Sequence, residues 1–140
     1  MEVRIKRTRY NAIPPRRVHD DDAGWDLYAI SKEFDEHGNV VYGTGWAFEI
    51  PKGHVGLLFP RSSNAKKDLL LSNSVGVVDS GYRGEVLFKF KMIGGNKSDY
   101  EVGERIGQII ILPYPSVTFV ESEVLSDTER GEGCYGSSGK

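Results

Sequence analysis

Cysteine is almost missing from these 140 residues: Cys134 stands alone. That excludes an internal disulfide and makes a reducing, cytoplasmic compartment the expectation. Histidine is nearly as scarce. His19, His37 and His54 are scattered, with no CxxC or HxE cluster, so the ligands of a zinc site are lacking, and with them the chemistry of a zinc-dependent nucleotide deaminase. No apolar run is long enough to cross a bilayer. The opening Met1-Glu2-Val3-Arg4-Ile5-Lys6-Arg7 alternates charge with aliphatic side chains and has no signal-peptide core, so no membrane partner is expected. Excess positive charge is absent too. With 18 Lys and Arg against 20 Asp and Glu, the net charge of −2 disfavours a general nucleic-acid binder, and any polyanion site has to be built locally.

What is present reads as strands. The chain has the length of one domain that buries on the order of two-thirds of its unfolded surface. In residues 1–10, Val3 and Ile5 alternate with Arg4 and Lys6, the pattern of a half-buried strand that Pro14-Pro15 ends. Asp20-Asp21-Asp22 leads into a second, where Trp25, Leu27 and Ala29 alternate with Asp26 and Tyr28, placing a carboxylate among neighbours that read as buried. Residues 31–39 read as a polar connection turning at His37-Gly38-Asn39. Residues 40–50 form a strand interrupted by Gly43 and Gly45, and 54–59 an apolar run. Residues 60–69 are the only stretch with helical character, Ser62 or Ser63 serving as cap; its N-terminus offers N–H groups, hydroxyls and the Arg61 guanidinium to an anion.

Val86, Phe88, Phe90 and Met92 mark a period-two strand, residues 94–99 a turn, 105–112 a strand buried on both faces, and 117–124 the last strand. Trp46, Phe88 and Phe90 read as core and His54 as structural. Roughly nine short strands and one short helix give an all-β sandwich or barrel, which a jelly roll fits without being singled out. Residues 1–125 constitute the barrel. Residues 126–140, rich in Gly, Ser and charge, form an arm expected to be mobile until something orders it.

Two stretches carry chemistry. In Gly76-Val77-Val78-Asp79-Ser80-Gly81-Tyr82-Arg83-Gly84-Glu85-Val86, two valines run into Ser80-Gly81 and a second strand leaves over 82–90. With Ser80-Gly81 as the turn of a hairpin, Asp79 and Tyr82 face each other, Cβ atoms about 4.5–5.5 Å apart. The alternative is a surface turn in which Asp79 bonds its own backbone. The other stretch is the tail, Arg130-Gly131-Glu132-Gly133-Cys134-Tyr135-Gly136-Ser137-Ser138-Gly139. Such a ribbon can close over a phosphate chain while its ring stacks on a base, or it is simply a frayed terminus.

These two stretches, with Ala23-Gly24-Trp25-Asp26-Leu27-Tyr28-Ala29, Pro60-Arg61-Ser62-Ser63 and Arg105-Ile106-Gly107-Gln108, resemble the five ordered motifs of the trimeric deoxyuridine triphosphatase (dUTPase) family. The resemblance spans nearly the whole chain. It implies a distorted β jelly roll, a homotrimer, and hydrolysis of dUTP to dUMP and pyrophosphate with Mg²⁺. Residue by residue it makes Asp79 the group that activates water against the α-phosphorus. Tyr82 packs on the deoxyribose, while Asn73 and the backbone at Gly76 and Val78 read uracil. Arg61, Ser62, Ser63 and Gln108 hold phosphates, and Asp26 organises the hydration of the metal without binding it directly. In the arm, Arg130 clamps the terminal phosphate, Tyr135 stacks on uracil, and Gly136 and Ser137 complete the closure over a neighbouring subunit's site.

This chain departs from the family pattern at Cys134, usually Gly, at Tyr135, usually Phe, at Gly107, usually Ala, and at Ser138, usually Thr. A residue with a Cβ at position 134 costs roughly 1 kcal/mol if φ there is positive. Two other readings are open: a dCTP deaminase on the same scaffold, whose additional catalytic Glu has no counterpart here, and a regulatory binding protein that keeps the fold and uses nucleotide occupancy as a switch.

Overall fold

Period-two alternation folds the chain into ten strands among the residues described by the computed structural model, 1–95 and 98–139. They are β1 (Arg4–Arg7), β2 (Trp25–Tyr28), β3 (Ser31–Phe34), β4 (Asn39–Gly43), β5 (Trp46–Glu49), β6 (His54–Phe59), β7 (Leu69–Leu71), β8 (Gly76–Val78), β9 (Leu87–Met92) and β10 (Arg105–Pro113), with one 3-10 helix at Ser62–Lys66. Every pairing is antiparallel. One four-stranded sheet runs β2-β10-β6-β8, the other β3-β4-β9-β7, and β1 pairs with β5 alone. The result is the expected all-β architecture, a distorted jelly-roll barrel.

The core lies between the two four-stranded sheets. Tyr42, Phe88, Phe90, Leu27, Ile106 and Val40 are fully buried in it, and Trp46 nearly so. Each such side chain contributes roughly 1.5–3 kcal/mol through burial. Tyr42 also ties the barrel together: its hydroxyl donates to the Tyr100 carbonyl at 2.8 Å and accepts from the Tyr100 N–H at 3.0 Å. Burial holds this phenol well above the ordinary tyrosine value, so it remains a donor.

Several expectations are corrected. The Ser80-Gly81 turn exists, closed by Tyr82 N–H on the Asp79 carbonyl at 3.0 Å, but no hairpin ladder flanks it. β8 pairs with β6 and the outgoing strand starts only at Leu87, in the other sheet, because residues 82–86 carry the chain across the barrel. Asp79 and Tyr82 are therefore the two ends of one turn and not a cross-strand pair. Residues 31–34, read as a connection, form β3 against β4. The helix is five residues of 3-10 type whose first flanking residue is Arg61, with no side-chain cap bond from either serine. β1 is exposed at all four positions instead of half-buried, since it has only β5 as a partner.

β10 is interior to its sheet, yet not buried on both faces. A bulge between Arg105 and Gly107 turns Ile106 and Gly107 inward consecutively, after which Ile109 is buried between half-buried Gln108 and Ile110 and the end of the strand is exposed. Gly107 is needed there, since an added Cβ would stand 2.2 Å from the Phe88 ring. The strand expected over 117–124 is not formed. β10 ends at Pro113, and Val117, Phe119, Val120, Val124 and Leu125 are all more than half exposed, because no strand edge of the same chain meets them. In the turn expected over 94–99, Asn96 and Lys97 lie outside the described residues, as does Lys140 at the end of the arm.

Candidate active site

At one edge of the β2-β10-β6-β8 sheet, the short strand β8 carries Gly76 and Val78 inward and hands the chain to the Asp79–Tyr82 turn. These residues, with Asn73, Leu58, Val77 and the start of β9, line a cavity of about 240 Å³. Asp79 is exposed at its mouth. Tyr82 lies folded back over Gly84, its hydroxyl donating to the Glu85 carbonyl at 3.1 Å. Only glycine permits this, because a Cβ on residue 84 would sit 2.4 Å from the tyrosine oxygen. Arg83 closes the turn from outside by donating to the carbonyls of Ser80 and Tyr82 at 2.7 and 3.0 Å, and pairs loosely with Glu49 at 3.6 Å. Glu85 pairs within the chain too, with Arg9 at 3.1 Å, and accepts the Gly45 N–H at 2.7 Å.

A second group forms around Asp26 on β2, at the opposite edge of the same sheet. Its Oδ2 accepts from Arg61 Nε at 3.1 Å and from Arg105 Nη1 at 3.0 Å, and the carboxylate is 14% exposed. Paired backbone bonds with Arg16, 2.7 and 3.0 Å, fix this residue from its outer side. Gln108 stands opposite Asp26 in the ladder and donates to the Pro60 carbonyl at 3.0 Å. Ser63 Oγ accepts from Arg61 Nη1 at 3.2 Å, whereas Ser62 is exposed. One carboxylate between two guanidiniums carries net positive charge, an anion's counterpart. Arg105 had no assigned role in the sequence; the available signal was a cation opening an otherwise apolar run.

The two groups lie at opposite edges of the sheet, and none of Asp26, Arg61, Arg105 and Gln108 lines the cavity at β8. The arm joins neither. Arg130 Nε donates to the Gly133 carbonyl at 2.8 Å, and Tyr135 is fully exposed. Gly136 has φ of +80° and the Ser137 N–H donates to the Cys134 carbonyl at 2.8 Å. Cys134 itself is not at positive φ; among the described residues only Ser74 is a non-glycine with that sign.

A jelly-roll barrel with an acid and an aromatic ring at a cavity on one edge, and two guanidiniums around a carboxylate on the other, is an arrangement that a phosphoanhydride hydrolase can use. A dUTPase family model matches residues 10–139. The chain is 42% identical to the deoxyuridine 5'-triphosphate nucleotidohydrolase of Corynebacterium diphtheriae, over 98% of this chain and 92% of that protein. It is 36% identical to that of Escherichia phage T5, over 98% of each. The solved dUTPase of Staphylococcus bacteriophage 80alpha with dUPNHPP superposes with a TM-score of 0.83 at 29% identity, over 99% of both chains. The chain belongs to the dUTPase family.

Proposed function

We propose that this protein hydrolyses dUTP to dUMP and pyrophosphate, with Mg²⁺, as a homotrimer in the cytoplasm, limiting uracil in DNA and supplying dUMP for thymidylate synthesis. The observation that carries the reading is the cavity at the β8 edge, where Asp79 stands beside Tyr82, Asn73, Gly76 and Val78. The Asp79 carboxylate orients a water and accepts its proton as the oxygen attacks the α-phosphorus. The bond to the α,β-bridging oxygen breaks, and pyrophosphate leaves with the electron pair. The Tyr82 ring packs on the deoxyribose, where a 2′-hydroxyl would collide. Asn73 and the backbone of Gly76 and Val78 pair with the uracil edge, and polar groups left mispaired in the complex discriminate against cytosine by about 10⁴ or more.

Arg61, Ser62, Ser63 and Gln108 take the phosphates. Asp26 suits a hydrated magnesium ion that arrives on the triphosphate. The Asp26 Oδ2 is taken by Arg61 and Arg105, so the carboxylate would act on the ion's water shell, with phosphates and water as the metal's own ligands. When bound, the ion neutralises charge on the transferring phosphate. From the arm, Arg130 holds the terminal phosphate and Tyr135 stacks on the base, with Gly136 and Ser137 donating around the phosphates.

The separation of the Asp79 and Asp26 groups supports a site shared between subunits, as do the unpartnered apolar residues from Val117 to Leu125 that precede the arm. Residues 126–140 then close over a neighbour. Pyrophosphate release measured on dUTP, dCTP, dTTP, dATP and dGTP, with and without Mg²⁺, tests the assignment. Release from dUTP alone, dependent on Mg²⁺, is expected; equal release from all five, or none from dUTP, refutes it.

A further inference from the structure

Ser74 stands out for its backbone. It has φ of +62°, the Val75 N–H donates to the Asn73 carbonyl at 2.6 Å, and its own N–H donates to the Leu71 carbonyl at 2.9 Å. An i to i+2 bond around a residue at positive φ is the rare, strained kind of γ-turn. A residue with a Cβ persists there only when its surroundings over-determine it, and such strain gathers at functional sites.

The surroundings do hold it from both sides. After Ser74 the chain enters β8, whose Gly76 is locked opposite Leu58 with no room for a Cβ, the nearest carbon being 2.9 Å away. Before it, Ser72 Oγ donates to Asn39 Oδ1 at 2.6 Å and the Ser72 N–H donates to the Lys89 carbonyl at 2.9 Å. Asn39 is buried and is clamped in turn by Asp35, which takes its Nδ2 and backbone N–H, both at 2.8 Å. The turn also consumes its own backbone groups: the Asn73 carbonyl is occupied by Val75. The Asn73 side chain is left exposed at the rim of the cavity that Gly76, Val78, Asp79 and Tyr82 line.

We infer that Ser74 is a positioning residue for base selection, its strained turn presenting the Asn73 amide to the base, with the Asp35-Asn39-Ser72 chain as the buttress. The inference rests on the dUTPase reading above. What it adds is a conformational requirement at residue 74, and not a requirement for the serine hydroxyl. A β-branched side chain resists this φ, whereas glycine adopts it freely.

The experiment compares Ser74→Val and Ser74→Gly by steady-state kinetics on dUTP and dCTP, with binding of an imido analogue of dUTP measured alongside. Ser74→Val is expected to raise KM and the analogue's Kd about tenfold and to erode dUTP over dCTP discrimination by a similar factor, at a kcat within about twofold of the unmutated protein. Ser74→Gly, the rescue, keeps KM within about twofold and does not lower Tm. A valine variant with unchanged KM and discrimination overturns the inference, even if its Tm falls. Should that variant not fold, Ser72→Ala is read in its place: KM about threefold higher at constant kcat supports the buttress, and unchanged KM overturns it. Unmutated protein that releases no pyrophosphate from dUTP refutes the parent reading and the inference together, and that failure is recognisable because it precedes any substitution.

Discussion

Tyr82 and Tyr135 are both rings proposed to touch the nucleotide, and their physical states differ completely. Tyr82 is half-exposed, seated on Gly84 and bonded to the Glu85 carbonyl, with its turn pinned by Arg83. Tyr135 is bare, in a segment whose hydrogen bonds among the described residues are all to its own near neighbours. The barrel side has met its ordering cost on folding, whereas an arm that closes as proposed meets that cost when it binds, so its closure would be conditional on the nucleotide. Under that proposal chemistry and selection sit on stiff structure, while capture and water exclusion sit on a segment that must be recruited.

That contrast breaks most visibly at Asp79. Asp79→Asn is expected to lower kcat by about 10²–10⁴ while leaving nucleotide affinity within a few-fold, read by pyrophosphate release and by titration with an imido analogue. Removing residues 126–140 sharpens the other side: activity on the order of a hundredfold lower, with Tm and oligomeric state unchanged by thermal melting and sedimentation. Variants of the scaffold should do the reverse and cost stability before activity. Tyr42→Phe strands the buried carbonyl and N–H of Tyr100 and is expected to cost about 1–3 kcal/mol in denaturant unfolding. Gly107→Ala drives a Cβ into Phe88 and is expected to cost about 1–3 kcal/mol, part of it recovered by adding Phe88→Leu in a double-mutant cycle.

The smallest effect concerns pH. Bonds from the Asn39 side chain and backbone, then from the His37 N–H and Lys89, hold the Asp35 carboxyl well below the usual carboxylate range. A depressed folded-state value contributes stability above the unfolded value of about 3.9, lost as pH falls further toward the folded one. Tm should therefore drop more steeply below about pH 4 in the unmutated protein than in Asp35→Asn.

Much of this was legible in the chain itself. The alternation around Phe88 and Phe90 reports which face is buried, and three of the short motifs bring Asp26, Arg61, Arg105 and Gln108 together. Asp79, Tyr82, Asn73, Gly76 and Val78 do share one cavity. What stayed hidden depends on pairing between distant strands. Valines running into a turn read as a hairpin because nothing local reveals that β8 pairs with β6 and β9 with β4 and β7. Residues 117–124 have the pattern of a strand, but a pattern does not say whose edge it joins. Arg105 against Asp26 and the strain at Ser74 were likewise invisible: the first is a contact across 79 positions, the second a dihedral angle that serine seldom adopts.

The central claim is that one active site draws Asp79 from one subunit and the arm from another. Mixing denatured Asp79→Asn chains with chains lacking residues 126–140, refolding them together and measuring dUTP hydrolysis tests it most directly. Random assembly of equal amounts should restore roughly a quarter of unmutated activity, since each half-site is intact in half of the chains. Recovery no greater than the sum of the two variants refolded apart would contradict the shared site.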